Sequence, residues 1–375
     1  MSQPLSKTGP PLSQTTAAAT PTCSPLRSGP IRIGVVGLGR FGLLHSRTLA
    51  ALDEFELVAV VARREESLAA AQPFLPGVPG FLHLDQALAE TAPEAWVVAC
   101  STSQHLAVTR RLLESGGRVL LEKPIAESLA EARQLADLVE PGSSRLMLGH
   151  IVLFNSEFAE LLPLVRRRGP LAYVQAVRHR PATIVRQFPG ENPLVAAMVH
   201  DLYCVQALVS LPAHEERSIS GHTSSTSAPD PVSYSAAYHR TPEGEIDLAS
   251  ARLVFPGGLV ADFTASYLTP PGMAPRGYDR LELFGSGWSA RCEPNPRPLQ
   301  VWGDKAEWPL ALEIRAGGAL AGEATPPTGM LAEELRCFAR VVRDRQPIPR
   351  GATYHDGLQV QDWIERLHAV ALATG

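Results

Sequence analysis

The sequence predicts an α/β protein in two parts: a doubly wound parallel sheet over residues 31–150 and an α+β domain with a large, mostly antiparallel sheet over 151–375. Three observations predict it. Up to His150, short and nearly continuous apolar runs alternate with helical patterns, as expected of strands buried on both faces and joined by crossover helices. Beyond His150 the runs lengthen and alternate polar with apolar, as strands with one solvated face do. A glycine-rich turn, Gly37-Leu38-Gly39-Arg40-Phe41-Gly42, joins the first run to the first helical pattern.

In the first part, strands are expected at 31–36, 57–61, 95–100, 119–121 and 146–148, with helices at 43–52, 65–71, 105–114 and 129–138 between them. Ligands of such sheets bind beyond the carboxyl ends of the strands. In the second part, strands are expected at 171–179, 232–239, 249–255, 259–267 and 281–285. Pro256-Gly257-Gly258 marks a hairpin between two of them. A helix at 194–208 has Asn192 as N-cap and Pro193 in its first position. Helices at 331–345 and 354–373 close the chain, the last one expected to pack back on the first domain. The stretches 214–231 and 315–327 carry loop composition.

Length and charge narrow the function classes. The 375 residues are enough for two domains, and a net charge of -4 argues against a nucleic-acid or membrane partner. Five cysteines, Cys23, Cys100, Cys204, Cys292 and Cys337, are scattered without metal-type spacing, which suits reduced thiols in a cytoplasm. Residues 1–30, rich in Ser, Thr, Pro and Ala, read as a disordered tail with no signal-peptide core.

The glycine turn points to a dinucleotide. Gly37 permits a tight turn, Gly39 lets the backbone approach a pyrophosphate, and Gly42 lets the helix lie close to the sheet. The helix N-terminus then offers unpaired N–H groups and a favourable dipole to phosphate. A carboxylate that grips the ribose of NAD is expected roughly 20 residues further on. Here strand two ends in Ala62-Arg63-Arg64 instead. Two guanidiniums match a 2′-phosphate, so NADP is favoured over NAD, the alternative being a solvated loop.

Lys123 follows the fourth expected strand within Glu122-Lys123-Pro124, on the ligand side of the sheet. A desolvated lysine loses its proton more readily and serves as an acid/base near neutral pH, with Glu122 holding it by charge. The plain alternative is a solvated charge at a strand end.

The ordered set Gly37-x-Gly39-x-x-Gly42-x-x-His45, Ser101-Thr102, Glu122-Lys123-Pro124 and His200-Asp201 resembles the glucose–fructose oxidoreductase / inositol dehydrogenase / MocA (Gfo/Idh/MocA) family. The segment Gly149 to Asn155 is also similar to the entry into the second domain in branches acting on nucleotide-linked sugars. The resemblance implies a Rossmann first domain and an NAD(P)-dependent dehydrogenase acting on a secondary alcohol of a sugar, cyclitol or sugar nucleotide. It implies Lys123 as acid/base, positioned by Glu122 and often preceding a cis proline bond, with His200 as its partner. It implies cofactor contacts from Arg40 and Phe41 in the glycine turn, from Ser101 and Thr102, and from Glu122 and Lys123.

Many members carry an aspartate where this chain has Ala196; Asp201 points about 100° away around the helix and is no substitute. Tyr203 shares the His200 face, and Arg178 and Arg180 are substrate-binding candidates. Two other readings stay open: a silent dinucleotide-binding sensor, and redox-assisted glycoside cleavage with a retained cofactor. A homodimer or homotetramer is expected by analogy.

Overall fold

The computed structural model describes residues 29–211, 228–270, 273, 278–294, 301–302, 306–307, 318–320, 323–325 and 327–374. The tail expected to be disordered lies outside them up to residue 28, and so does the 214–231 stretch through residue 227.

The first domain places β1 (Ile31–Val36), β2 (Phe55–Val61), β3 (Gly80–Phe81), β4 (Ala95–Val98), β5 (Arg118–Glu122) and β6 (Leu146–Gly149) in one sheet of order β3-β2-β1-β4-β5-β6. Every pairing is parallel. Helices α1 (Arg40–Leu49), α2 (Glu65–Ala71), α3 (Leu84–Thr91), α4 (Thr102–Glu114) and α5 (Leu129–Ala132) make the crossovers. The middle strands bury both faces: Val97, Val98, Leu120 and Leu121 are fully enclosed, which is why their sequences read as unbroken apolar runs. Strand order reverses between β1 and β4, so the crevice for a ligand opens where the glycine turn and Ser101 emerge.

Sequence and structure part company at some elements here. β3, two residues long, is too short to show a period. The helix expected at 129–138 keeps α geometry only to Ala132 and tightens to a 3₁₀ turn over Arg133–Leu135.

In the second domain, α6 (Ser156–Arg168) is capped by Asn155, whose side chain accepts from the Phe158 amide at 2.9 Å. Then come β7 (Leu171–Pro181), α7 (Thr183–Gln187), a π-helical turn over Leu194–Met198, and α8 (Val199–Val209). The sheet is completed by β8 (Ser233–Arg240), β9 (Ile246–Val254), β10 (Val260–Thr269), β11 (Tyr278–Gly285) and β12 (Trp288–Cys292) in the order β12-β11-β7-β10-β9-β8. Only the β7–β10 pairing is parallel; the others run antiparallel. The expected hairpin closes β9 onto β10, with Gly257 and Gly258 at φ +84° and +90°. Within 315–327, read as loop, Gly318–Leu320 and Glu323–Thr325 form a small antiparallel ribbon.

Two helices, α9 (Met330–Val342) and α10 (Tyr354–Thr374), end the chain. α10 reaches the first domain: Tyr354 Oη donates to the Ala132 carbonyl at 2.7 Å and Gln361 Nε2 to the Ala126 carbonyl at 3.0 Å. These bonds tether the segment after β5 from behind. Among the described residues, no helix is long and apolar enough to cross a membrane, and Cys100, Cys204, Cys292 and Cys337 are free thiols.

Candidate active site

The cofactor side is built by backbone. Gly37 sits at φ +99°, and a Cβ there would lie 2.5 Å from the Ala99 carbonyl oxygen. A side chain is excluded on both counts. At Gly42 a Cβ would collide with the Gly37 carbonyl. Gly39 differs: a Cβ would meet nothing within 4 Å, so the opening lies in front of the first turn of α1. No side chain caps that helix, nor α4, whose N-cap is Ser101. Their leading N–H groups therefore face the crevice, as a pyrophosphate requires.

Arg40 is exposed at the start of α1, and Phe41 packs edge-on against His45, centroids 5.3 Å apart. Thr102 opens α4 beside Ser101. Arg63 and Arg64 stand exposed beyond β2, their side chains with no hydrogen bond or ion pair among the described residues, while Ala62 is buried. This donor set fits a dinucleotide.

Lys123 leaves the carboxyl end of β5, and the Lys123–Pro124 bond is cis. His105 of α4 donates from Nδ1 to the Pro124 carbonyl at 2.7 Å, with its Nε2 3.2 Å from the Cys100 carbonyl. The turn is thereby tied to the end of β4. Burial lowers the pKa of His105, against the pull of both carbonyls. Lys123 itself is half-buried and makes no hydrogen bond or ion pair among the described residues. Burial lowers its pKa below the ordinary lysine value; the Glu122 charge pushes it up, Arg178 pushes it down, and Glu191 pushes it up.

Glu122 makes no ion pair with Lys123 among the described residues and acts on it through its charge. Its Oε1 accepts from His45 Nε2 at 2.8 Å. Beneath this pair lies Glu334 of α9, fully buried, and one ligating atom from each of the three side chains falls within 4.8 Å of the others. Neither Glu334 oxygen has a partner in hydrogen-bond geometry among the described residues. Burial, then the Glu122 charge, raises its pKa well above the carboxylate range, with the His150 amide pulling the other way.

On the second domain, His200 lies in the first turn of α8, half-buried, with Nδ1 lacking a hydrogen-bond partner among the described residues. Burial, followed by the charges of Lys123 and Arg178, lowers its pKa well below the ordinary imidazole value. It is neutral at neutral pH and free to accept or donate one hydrogen bond. Ala196, in the π-helical turn, adds no polar group.

His150, immediately after β6, was not among the expected site residues. It is fully buried, both ring nitrogens lack partners among the described residues, and its ring centroid lies 5.6 Å from that of His200. Its position is legible by the rule that marked Lys123, since both residues follow the carboxyl end of a parallel strand.

Two of the substrate-binding expectations need correction. Tyr203 is 2% exposed and stacks on His150 at 4.1 Å, so it lines the core behind the cleft. Arg178 is 3% exposed. Its Nη2 and Nε donate to Asp201 at 2.7 and 3.1 Å, and its Nη1 donates to Asp279 at 2.8 Å. Burial opposes its charge, yet Asp201 and Asp279 outweigh burial and hold it protonated. Arg178 is a buried structural cation; Asp201, turned away from His200, is its counterion. Arg180 is partly exposed and also pairs with Asp279.

Together these features define a two-domain dinucleotide-binding protein, with a lysine at a strand end and a histidine on the facing domain. Residues 31–150 match the family model GFO_IDH_MocA, the oxidoreductase family with an NAD-binding Rossmann fold. An inositol 2-dehydrogenase of Leifsonia xyli subsp. xyli is 28% identical over 185 residues, 48% of this chain and 54% of the relative. The chain spans about half the length of the curated relatives it matches.

Similar solved structures include GenD2 from gentamicin A biosynthesis in complex with NAD, with TM-score 0.74, 18% identity, and 96% of this chain and 98% of that chain covered. Another is UDP-N-acetylglucosamine 3-dehydrogenase from Acidithiobacillus ferrooxidans, with TM-score 0.69, 21% identity, and 92% and 98% covered. At these identities the likeness is one of fold.

Proposed function

We propose that the protein is an NAD(P)-dependent oxidoreductase acting on a secondary alcohol or ketone of a polyol, cyclitol or sugar nucleotide. The observation that carries this reading is Lys123: half-buried, unpaired, and lowered in pKa at the carboxyl end of β5. A lysine held that way has one obvious use, which is to exchange a proton. A nicotinamide dinucleotide, when bound, supplies the hydride acceptor or donor. In the oxidative direction neutral Lys123 takes the hydroxyl proton at Nζ; in the reductive direction its ammonium returns it. Neutral His200 holds the same oxygen from the opposite domain, and burial of both groups excludes water. The names of an inositol-oxidising relative and a sugar-nucleotide-oxidising structural neighbour support the substrate class.

Exposed Arg63 and Arg64, with no carboxylate at Ala62, favour the phosphorylated dinucleotide. Ala196, where many family members carry a carboxylate, is what favours the competing reading of a silent sensor.

The test is nicotinamide absorbance with purified protein, NAD⁺ or NADP⁺, and a panel of free sugars, cyclitols and sugar nucleotides. Reduction in at least one arm is expected, faster with NADP⁺. Silence across the panel, with dinucleotide binding confirmed by fluorescence, would overturn the dehydrogenase reading and leave the sensor or the closed redox cycle.

A further inference from the structure

His150 stands beside Lys123 on the ligand side of the first sheet. β5 and β6 pair in parallel with Glu122 opposite Gly149, so the next residue of each strand, Lys123 and His150, leaves the sheet side by side. The backbone there is pinned: the His150 carbonyl accepts from the Leu153 amide at 3.0 Å, and Leu148 N donates to the Ala352 carbonyl at 2.8 Å. The ring is held as well. Tyr203 of α8 stacks on it at 4.1 Å with planes 33° apart, and both side chains are buried.

The ring nitrogens contrast with this anchoring. The other buried imidazoles near the site are bonded, His45 through Nε2 to Glu122 and His105 through Nδ1 to the Pro124 carbonyl. Nδ1 and Nε2 of His150 have no partner among the described residues, and a polar atom enclosed in that way costs stability unless it is paired. His200 Nδ1 is in the same condition. The two rings have centroids 5.6 Å apart and planes 34° apart. A ring nitrogen lies about 1.2 Å from its centroid, so nitrogens turned towards each other come to about 3.2 Å, the upper end of hydrogen-bond range. Three residues separate His200 from Tyr203 on α8, so the helix face that stacks on His150 also presents His200 to it. Burial lowers the pKa of both imidazoles, and a neutral imidazole has one N–H to give and one nitrogen that accepts. Catalytic hydrogen bonds often stand just outside ideal geometry until a ligand closes the site.

We propose that His150 is a positioning residue for His200: one of its ring nitrogens donates to His200 Nδ1, which leaves the His200 proton on Nε2 and makes His200 a hydrogen-bond donor to the substrate oxygen. The inference rests on the oxidoreductase reading and deepens it. Charge that develops on the reacting oxygen as Lys123 takes its proton then meets an N–H aimed from the second domain. An imidazole here orients an imidazole, a part that a carboxylate or carbonyl plays beside other catalytic histidines.

The test uses the full chain, free and loaded with NADP⁺. The first readout needs no turnover. In protein labelled with ¹⁵N at histidine, a hydrogen bond from one ring nitrogen to another carries a scalar coupling between the two nuclei, and a packing contact carries none. A coupling between His150 and His200 is expected, with the proton on His150 and His200 Nδ1 unprotonated; His150→Phe and His200→Asn assign the resonances. The second readout is steady-state kinetics. His150→Phe keeps a ring against Tyr203 and should lower kcat by about 10- to 100-fold, the usual cost of losing the group that orients a histidine. KM and dinucleotide Kd should stay within about twofold of the parent. His150→Asn and His150→Gln place an amide N–H near Nδ1 and Nε2 respectively, and one of them should recover kcat to within about threefold.

No coupling in either state, or a coupling with the proton on His200 Nδ1, overturns the proposal. So does kcat in His150→Phe within about threefold of the parent, or a loss that neither amide relieves. If His150→Phe does not fold, the coupling in the parent decides alone. If the parent itself turns over nothing, it is the oxidoreductase reading that fails; the coupling still decides whether His150 donates to His200.

Discussion

Lys123→Ala should reduce kcat by about 10²- to 10⁴-fold, the range that a positioned acid/base contributes. Dinucleotide affinity should stay within about twofold, because the phosphate contacts proposed here are backbone N–H groups at α1 and α4. The size of the expected effect follows from the surroundings. His200, whose pKa burial and neighbouring cations hold low, is a poor substitute base for an alcohol. Glu122 is engaged with His45, and burial raises the pKa of Glu334 well above its ordinary value. Lys123→Arg should be nearly as slow, since a guanidinium does not release its proton. Turnover in Lys123→Ala within about tenfold of the parent would move the chemistry elsewhere.

Asp201→Ala should destabilise the fold by about 3–5 kcal/mol, the cost of removing one partner from a buried ion pair. The side chains of Arg178 and Asp201 are each 4% exposed, so water cannot replace the lost carboxylate. Asp279 would remain as counterion, but it is shared with Arg180. Equilibrium urea unfolding measures the difference. A loss below about 1 kcal/mol is the value typical of a surface pair, and would mean that Arg178 is solvated after all. Because Arg178 also lowers the pKa of Lys123 and His200, the same triad links the second domain's core to the site's electrostatics.

What was legible in the sequence is what is local. The strands of the first sheet are enclosed on both faces and announce themselves as apolar runs. The glycine turn carries its geometry in spacing, and Lys123 is marked by standing at a strand's carboxyl end. Long-range pairing leaves no such trace. Arg178 and Asp201 are 23 residues apart, and Arg178 and Asp279 are 101 apart. Nothing periodic distinguishes them from solvated charges, so Arg178 read as a substrate ligand.

His45 and Glu122, 77 residues apart, meet only once the sheet has formed. The parallel pairing of β7 with β10 inside an otherwise antiparallel sheet is equally invisible in a pattern that reports only which face is buried. α6 is hidden by Pro163 in its interior.

The most direct test of the acid/base assignment is the pH dependence of kcat/KM for alcohol oxidation by the parent protein. Base catalysis needs neutral lysine, so the rate should rise with pH. It should do so through a limb placed below the ordinary lysine value of 10.5, because burial lowers the pKa of Lys123. Lys123→Met should abolish the limb together with the activity. A limb that persists in Lys123→Met and disappears in His200→Asn would assign the proton to the imidazole and contradict the account.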